Sequence, residues 1–219
     1  MDSVFNDNTI SILRDVNMWF VLIPMLIGVI RYKQLNHQQK SIFGIVVLAV
    51  MNDYATIPLR EAKLPNLWVL HVYVPVLFIL ITRLYRTTNS SILSSGTLKL
   101  TAIVFVVLSV LNTGFIQSIN GWPSNIILVA SILYIIFAVT YFSDLLIKPK
   151  LEPLESSPLF WFNSGLLLYN ASTFLLFLFV TNILDGSGTV LRIGFGLNAI
   201  FNLILLSSYS VALWVKPRV

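Results

Sequence analysis

Cysteine is absent from this chain of 219 residues, and charged residues make up only 11% of it. Without cysteine the chain can form no disulfide, no haem-thiolate link and no iron–sulfur cluster held by thiolates. An average soluble domain carries roughly 25% charged residues, so the polar surface that a water-soluble globule needs is missing here. Hydrophobic residues make up 57% of the chain, and its mean hydropathy is +0.85. The composition therefore indicates an integral membrane protein.

Residues that bind cofactors or nucleic acid are also scarce. No run of Lys and Arg is long enough to follow a phosphate backbone, which argues against nucleic acid as a partner. The lysines all fall in predicted loops or at helix ends, so no retinal Schiff base can form inside a bundle. His37 and His71 fall on opposite sides of the predicted membrane and cannot share a metal ion. We therefore expect no cofactor and no metal site.

Seven apolar segments are long enough to cross a bilayer, for which about 20 residues suffice. Unpaired strand edges have no hydrogen-bond partners in hydrocarbon, so these segments are expected to be helices. The sequence predicts an all-α polytopic membrane protein, a single seven-helix domain over residues 1–219. The predicted spans are about 10–30, 41–58, 67–82, 98–117, 124–147, 159–184 and 190–215.

The distribution of cations predicts the orientation. One side of the seven-span arrangement collects ten of the 14 Lys and Arg residues, and the other side has only Arg14, Arg60, Lys63 and Arg192. Cytoplasmic loops are enriched in Lys and Arg, so the side with ten cations is predicted to be cytoplasmic. The N-terminus then lies outside and the C-terminus inside.

Polar residues recur within the spans at one depth. Asp53 and Asn52 lie in the second span, past the midplane toward the outside, and His71 and Tyr73 lie in the third. The remaining members of this predicted cluster are Asn112, Tyr134, Asn170, Asn198 and Asn202. These side chains are predicted to point into the bundle and to form a ligand-binding cluster in its outer half. In the simpler alternative they only form hydrogen bonds between helices.

Asp53 is the residue of the cluster on which function is most expected to depend, because a carboxylate at that depth must pair, bind a proton or face water. His71 lies at a similar predicted depth, so Asp53 is expected either to pair with His71 or to bind a proton without a cationic partner. Catalysis would have to rely on these two residues alone, since no other acid, base or nucleophile is predicted at this level. The sequence therefore favours a protein that is not an enzyme.

Two segments carry a resemblance to a known family. Residues 66–73 (NLWVLHVY) and 157–169 (SPLFWFNSGLLLY), with the spacing of Asn198 and Asn202, resemble small seven-helix integral membrane proteins of Bacteroidetes. The resemblance extends over the whole span pattern, with one departure at Leu77, where the family has an acidic residue. Similar modules precede histidine kinases. The resemblance implies a signalling module of a bacterial inner membrane, with a separate signalling protein on the cytoplasmic side as its partner.

Three functions compete at this stage. The leading hypothesis is a sensory membrane module that binds a small ligand in the polar cluster. The alternative is a small transporter or proton-coupled permease in which Asp53 titrates, although no inverted repeat or pair of broken helices supports it. A lipid-modifying membrane enzyme is less favoured, because it would need more reactive groups than Asp53 and His71.

Overall fold

The computed structural model of the chain describes residues 6–88, 90–148, 153–182 and 188–216, except for the side chains of residues 7 and 177–191. These residues form helices and connecting turns without a β-strand, so the predicted all-α fold is confirmed. The α-helices are α1 (Asp7–Phe20), α2 (Leu22–Ile30), α3 (His37–Glu61), α4 (Trp68–Tyr85), α5 (Ser95–Leu111), α6 (Ser124–Ile147), α7 (Pro158–Asn182) and α8 (Gly188–Trp214). A π-helical turn, Asn112–Ile116, extends α5, and 3-10 turns lie at Tyr32–Gln34 and Leu154–Ser156.

Six helical segments of the described chain are long and apolar enough to cross a membrane: Asn8–Ile30, His37–Glu61, Trp68–Tyr85, Ser95–Ile116, Ser124–Ile147 and Arg192–Trp214. The distribution of side chains suits lipid. Leu100 and Val110 on the outside of α5 are 62% and 66% exposed, whereas Gln39 and Asn163 are each 1% exposed inside the bundle. A bundle that is surrounded by hydrocarbon has apolar side chains on its outside and polar side chains inside, as here.

The first predicted span is divided at Val21, which separates α1 from α2. Pro24 explains the division, because a proline has no N–H for the carbonyl group four residues earlier, that of Phe20, and its ring clashes with that carbonyl. Pro58 and Pro75 lie inside α3 and α4, which continue through them. The sequence indicates a kink at all three prolines, but only Pro24 coincides with a break in the helix assignment.

Helix α3 begins at His37, four residues before the predicted span 41–58. A capping box starts it: the Asn36 side chain accepts from the Gln39 backbone N–H at 2.8 Å, and the Gln39 side chain accepts from the Asn36 N–H at 3.2 Å. These bonds satisfy N–H groups that the first turn of a helix leaves free. The first turn is helical but too polar to be recognised as part of an apolar segment.

The bundle has two ends, which we name after the chain termini. The N-terminal end carries the start of α1 and the connections α3–α4, α5–α6 and α7–α8, and the C-terminal end carries the other connections and the end of α8. Helices α1 and α2 pack along α8, α7 packs between α6 and α8, and α5 packs against α4. Helices α7 and α8 approach closely at Gly165, where a Cβ atom would lie 2.6 Å from the Cβ of Ser208.

Aromatic side chains fill the middle of the bundle below the N-terminal half. The Phe78 ring is stacked on Phe105 with 4.0 Å between ring centroids, and it contacts Tyr134 and Phe137 at 5.5 and 6.0 Å. Nearby, the ring of Tyr85 lies 5.1 Å from that of Phe137. Such packing leaves no room for water between these rings.

At the C-terminal end, two polar side chains hold the end of α8. Gln39 donates through its amide to the carbonyl groups of Ala212 at 3.0 Å and Val215 at 2.9 Å. Arg31, which is 8% exposed, donates to the carbonyl groups of Leu213 and Trp214. The last carbonyl groups of a helix have no partner within it, so these bonds satisfy groups that would otherwise be buried without one. We call Arg31 and Gln39 the α8 clamp.

Candidate functional site: a cavity inside the bundle

A cavity of about 650 Å³ lies inside the bundle and extends from its N-terminal end past the middle, where Ile45, Ile81 and Tyr209 line it. Its walls are formed by α1, α3, α4, α6, α7 and α8, together with Trp122 from the connection before α6. Helix α5 contributes no side chain to it. Most of the lining is aliphatic, with polar groups at a few positions, which is the usual composition of a small-molecule site.

Polar side chains on α3 enter the cavity at two levels. Arg60 and Asp53 both line it, and a separation of seven residues places them on one face of the helix, about 10 Å apart along its axis. Arg14 of α1 also lines the cavity, and both arginines are exposed to solvent. The cations therefore lie at the open end of the cavity, and the carboxylate lies deeper.

Asp53 has no ion-pair partner among the described residues. Its carboxylate accepts one hydrogen bond, from the side-chain amide of Asn52 at 3.1 Å. The ion pair that the described chain does contain, Arg14 with Asp15 at 3.3 Å, lies on the surface. Asp53 shares the cavity with the phenols of Tyr73 and Tyr169, which belong to α4 and α7. The carboxylate thus lies among neutral groups.

Amide side chains join α1, α7 and α8 along one wall. Asn202 donates to the side-chain oxygen of Asn17 at 2.9 Å, and Asn17 in turn donates to the Ala199 carbonyl at 3.1 Å. Asn198 donates to the Thr173 hydroxyl at 2.9 Å. Interhelical bonds of this kind contribute about 1 kcal/mol each in a membrane. They hold three helices in register around the cavity.

Two buried polar atoms of the lining have no hydrogen-bond partner: the side-chain oxygen of Asn52 and the hydroxyl of Tyr134. Tyr134 is only 5% exposed. Leaving such a group unsatisfied costs about 1–3 kcal/mol, so native structures rarely do it. Both residues line the cavity, and a ligand or water that reaches these atoms after a small side-chain movement would supply the missing bonds.

Seven residues of the predicted cluster line the cavity: Asp53, Asn52, Tyr73, Tyr134, Asn170, Asn198 and Asn202. Asn170 also donates to the Leu166 carbonyl of its own helix at 2.7 Å. These residues come from five helices that are distant in sequence. The structure brings them to one cavity.

His71 and Asn112 do not line the cavity. The ring of His71 is hydrogen bonded to the Thr113 hydroxyl at 2.8 Å and to the Gly121 carbonyl at 3.0 Å. Positions 71 and 73 are two residues apart, about 200° around the helix, so when Tyr73 faces the cavity His71 faces α5. Of the two alternatives for Asp53, pairing with His71 does not occur in the structure.

Asn112 belongs to a second polar network at the N-terminal end. Its amide donates to the Gln117 side chain at 2.9 Å, and its oxygen accepts from Asn125 at 3.1 Å. Asn112 begins the π-helical turn, and α5 packs on the outside of α4, away from the cavity. Its side chain points into the bundle, as predicted, but toward the contact between α5 and α6 instead of the cavity.

The polar residues of the lining that were not predicted include Asn17, Arg60, Tyr169 and Thr173. Asn17 had a recognisable signal, since it is an amide within the first predicted span. Tyr169 was not predicted although it directly precedes Asn170. Neighbouring helical residues are only 100° apart, and here both reach the cavity. Arg60 falls outside the predicted second span and was assigned to a loop.

The described residues contain no group of three His, Asp or Glu that would hold a metal ion. Comparison with protein-family models, with curated proteins and with solved structures finds no match for this chain.

Proposed function

We propose that this chain is a seven-helix membrane sensor whose cavity binds a small ligand arriving from the outer side of a bacterial inner membrane. The observation that carries this proposal is the cavity. Its volume of about 650 Å³ lies within the range of small-molecule sites, and its lining leaves the Tyr134 hydroxyl and the Asn52 oxygen without partners. A space that served only packing would be filled by side chains instead.

The proposed topology adds α7 to the six segments that can cross a membrane. Its 25 residues, Pro158–Asn182, extend for about 37 Å, enough to cross the hydrocarbon core. Seven spans place the N-terminus and the open end of the cavity outside, with ten of the 14 cations on the cytoplasmic side. A reporter fused after the C-terminus that is active only in the periplasm would contradict this orientation.

Helix α8 offers a route from the cavity to the cytoplasmic side. It lines the cavity with Asn198, Asn202 and Tyr209, and its far end is held by the α8 clamp. A ligand that shifts α8 at the cavity therefore also changes the hydrogen bonds of the α8 clamp. A separate signalling protein on the cytoplasmic side would detect this change, in agreement with the resemblance to modules that precede histidine kinases.

The test is a thermal-shift screen of the purified protein in lipid nanodiscs against water-soluble metabolites, with two matched variants of α3. Ala49 lines the cavity, so Ala49→Phe fills part of it, whereas Ala55 is exposed on the same helix and Ala55→Phe leaves it open. Ligands are expected to stabilise the wild type and Ala55→Phe but not Ala49→Phe. Ligands that stabilise all three proteins alike, or none found at all, would contradict the proposal.

A proton-coupled permease is the second candidate, favoured by the isolated carboxylate of Asp53 in the cavity. A permease needs a second path to the opposite side, but the side chains beyond Ile81 and Tyr209, among them Leu84 and Leu213, are fully buried. Proton flux into liposomes separates the two functions. Flux that disappears in Asp53→Asn would favour the permease, and its absence in the wild type would favour the sensor.

A further inference from the structure

We propose that the ligand of the cavity is an organic ammonium ion whose charged nitrogen binds at the carboxylate of Asp53. This inference rests on the proposed function, because it assumes that the cavity is a ligand site. It adds the chemical class of the ligand, which composition and resemblance leave open.

The first argument is the uncompensated charge. Asp53 accepts a single hydrogen bond from the neutral amide of Asn52, and no cation among the described residues pairs with it. Arg60 lies on the same face of α3 but about 10 Å closer to the open end. Asp53 is half-buried and lines the cavity, so a cationic ligand there would supply the ion pair that the described chain does not.

The second argument is an excess of hydrogen-bond acceptors. Beside the carboxylate, the Asn52 oxygen is buried without a donor, and it can only accept a bond. The Tyr134 hydroxyl is also unpartnered and can accept through its oxygen. A primary ammonium group has three donor hydrogens and no acceptor, so it complements such a site, whereas a carboxylate ligand would be repelled.

The third argument is the aromatic lining. Tyr73, Tyr134, Tyr169 and Tyr209 reach the cavity from four different helices. Aromatic rings attract cations through their negative faces, and the attraction grows where water is excluded. Most of the remaining lining is aliphatic, which suits an apolar body attached to the ammonium group. The geometry therefore fits an amphiphilic amine better than a small inorganic cation.

The test compares three probes of similar shape: phenethylammonium, 2-phenylethanol and 3-phenylpropanoate. Binding to the wild type in nanodiscs is measured by calorimetric titration. Phenethylammonium is expected to bind at least about tenfold more tightly than either of the other probes, as befits a hydrogen-bonded charge pair. This comparison needs no variant, so it remains decisive even if substitution of Asp53 prevents folding.

Variants then locate the contact. Asp53→Asn is expected to weaken phenethylammonium binding about tenfold or more, whereas Asp15→Asn, which removes an exposed carboxylate at the same end, is expected to change it little. Ala49→Phe is expected to abolish it. Equal loss in Asp15→Asn and Asp53→Asn would overturn the inference, because binding would then reflect general electrostatic attraction.

Failure of the inference is distinguishable from failure of the proposed function. If the alcohol or the carboxylate binds as well as the amine, and Ala49→Phe removes that binding, the cavity is a ligand site but not one for ammonium ions. If none of the three probes binds the wild type, the inference is refuted, and the metabolite screen still decides whether the cavity binds another ligand.

Discussion

Close packing of α7 on α8 can be tested at Gly165. A Cβ atom added there would lie 2.6 Å from the Cβ and 2.8 Å from the Oγ of Ser208, and 3.4 Å from the Cα of Leu205. Ordinary contact begins at 3.4 Å, so Gly165→Ala must push the helices apart by about 1 Å. Neither the Ser208 Cβ nor the Leu205 backbone can rotate away. The α7–α8 interface is expected to lose stability.

Gly44 of α3 provides the matched control. A Cβ atom added to Gly44 meets nothing within 4 Å. Exchanging glycine for alanine inside a helix stabilises it by about 1 kcal/mol, and this gain applies equally to both positions. Overpacking costs about 1–3 kcal/mol at Gly165 alone. The free energy of unfolding of Gly44→Ala is therefore expected to exceed that of Gly165→Ala by about 1–3 kcal/mol.

The assay is equilibrium unfolding by SDS in mixed detergent micelles. Gly165→Ala combined with Ser208→Gly removes the clashing atom, so the double variant is expected to show a favourable coupling of about 1 kcal/mol or more. If Gly165→Ala stabilises the protein as much as Gly44→Ala does, the described approach of α7 to α8 is wrong. The α7 and α8 walls of the cavity would then be misplaced as well.

Three further predictions concern single contacts. Gln39→Leu removes two bonds to the end of α8 and the capping bond from the Asn36 N–H, and it is expected to cost about 2–3 kcal/mol in SDS unfolding, whereas Gln38→Leu, one position away, should cost little. His71→Leu is expected to lower thermal stability but to leave ligand binding unchanged, since His71 lies outside the cavity. Loss of ligand binding without loss of stability would contradict this and show that His71 contributes to the ligand site. Asp144 accepts bonds from Ser90 and Ser91, so Asp144→Asn should speed proteolysis in the α4–α5 connection, and an unchanged cleavage rate would contradict this.

The helices could be predicted because long apolar segments separated by polar turns leave few alternatives in a membrane. Helix α6 begins and ends where hydropathy predicts, at Ser124 and Ile147. The start of α3 was misplaced because its first turn is polar and is held by the capping box of Asn36 and Gln39. The division at Val21 follows from Pro24, yet the sequence does not show why Pro58 leaves α3 continuous.

The rotation of each helix was harder to predict than its position. In water, an apolar stripe marks the buried face, but in lipid both the packed and the exposed faces are apolar, so the stripe is lost. Depth arithmetic therefore placed His71 beside Tyr73 although they face opposite sides of α4. It also placed Asn112 at the right level but on α5, which does not reach the cavity. Depth alone cannot separate a cavity residue from one that joins two neighbouring helices.

The most direct test of the cavity uses the absence of cysteine from the chain. Ser131 on α6 and Ser109 on α5 are each 3% exposed. Both lie about 10 Å from the N-terminal end of the bundle, which α6 reaches at Ser124 and the π-helical turn after α5 reaches at Ile116. Ser131 lines the cavity, whereas Ser109 donates to the Phe105 carbonyl of its own helix and lies outside it. Each is replaced by cysteine, and the rate of reaction with a water-soluble, membrane-impermeant thiosulfonate is measured in nanodiscs. The account predicts that Ser131→Cys reacts several-fold faster than Ser109→Cys and that Ala49→Phe slows it; equal rates for the two cysteines would contradict the cavity.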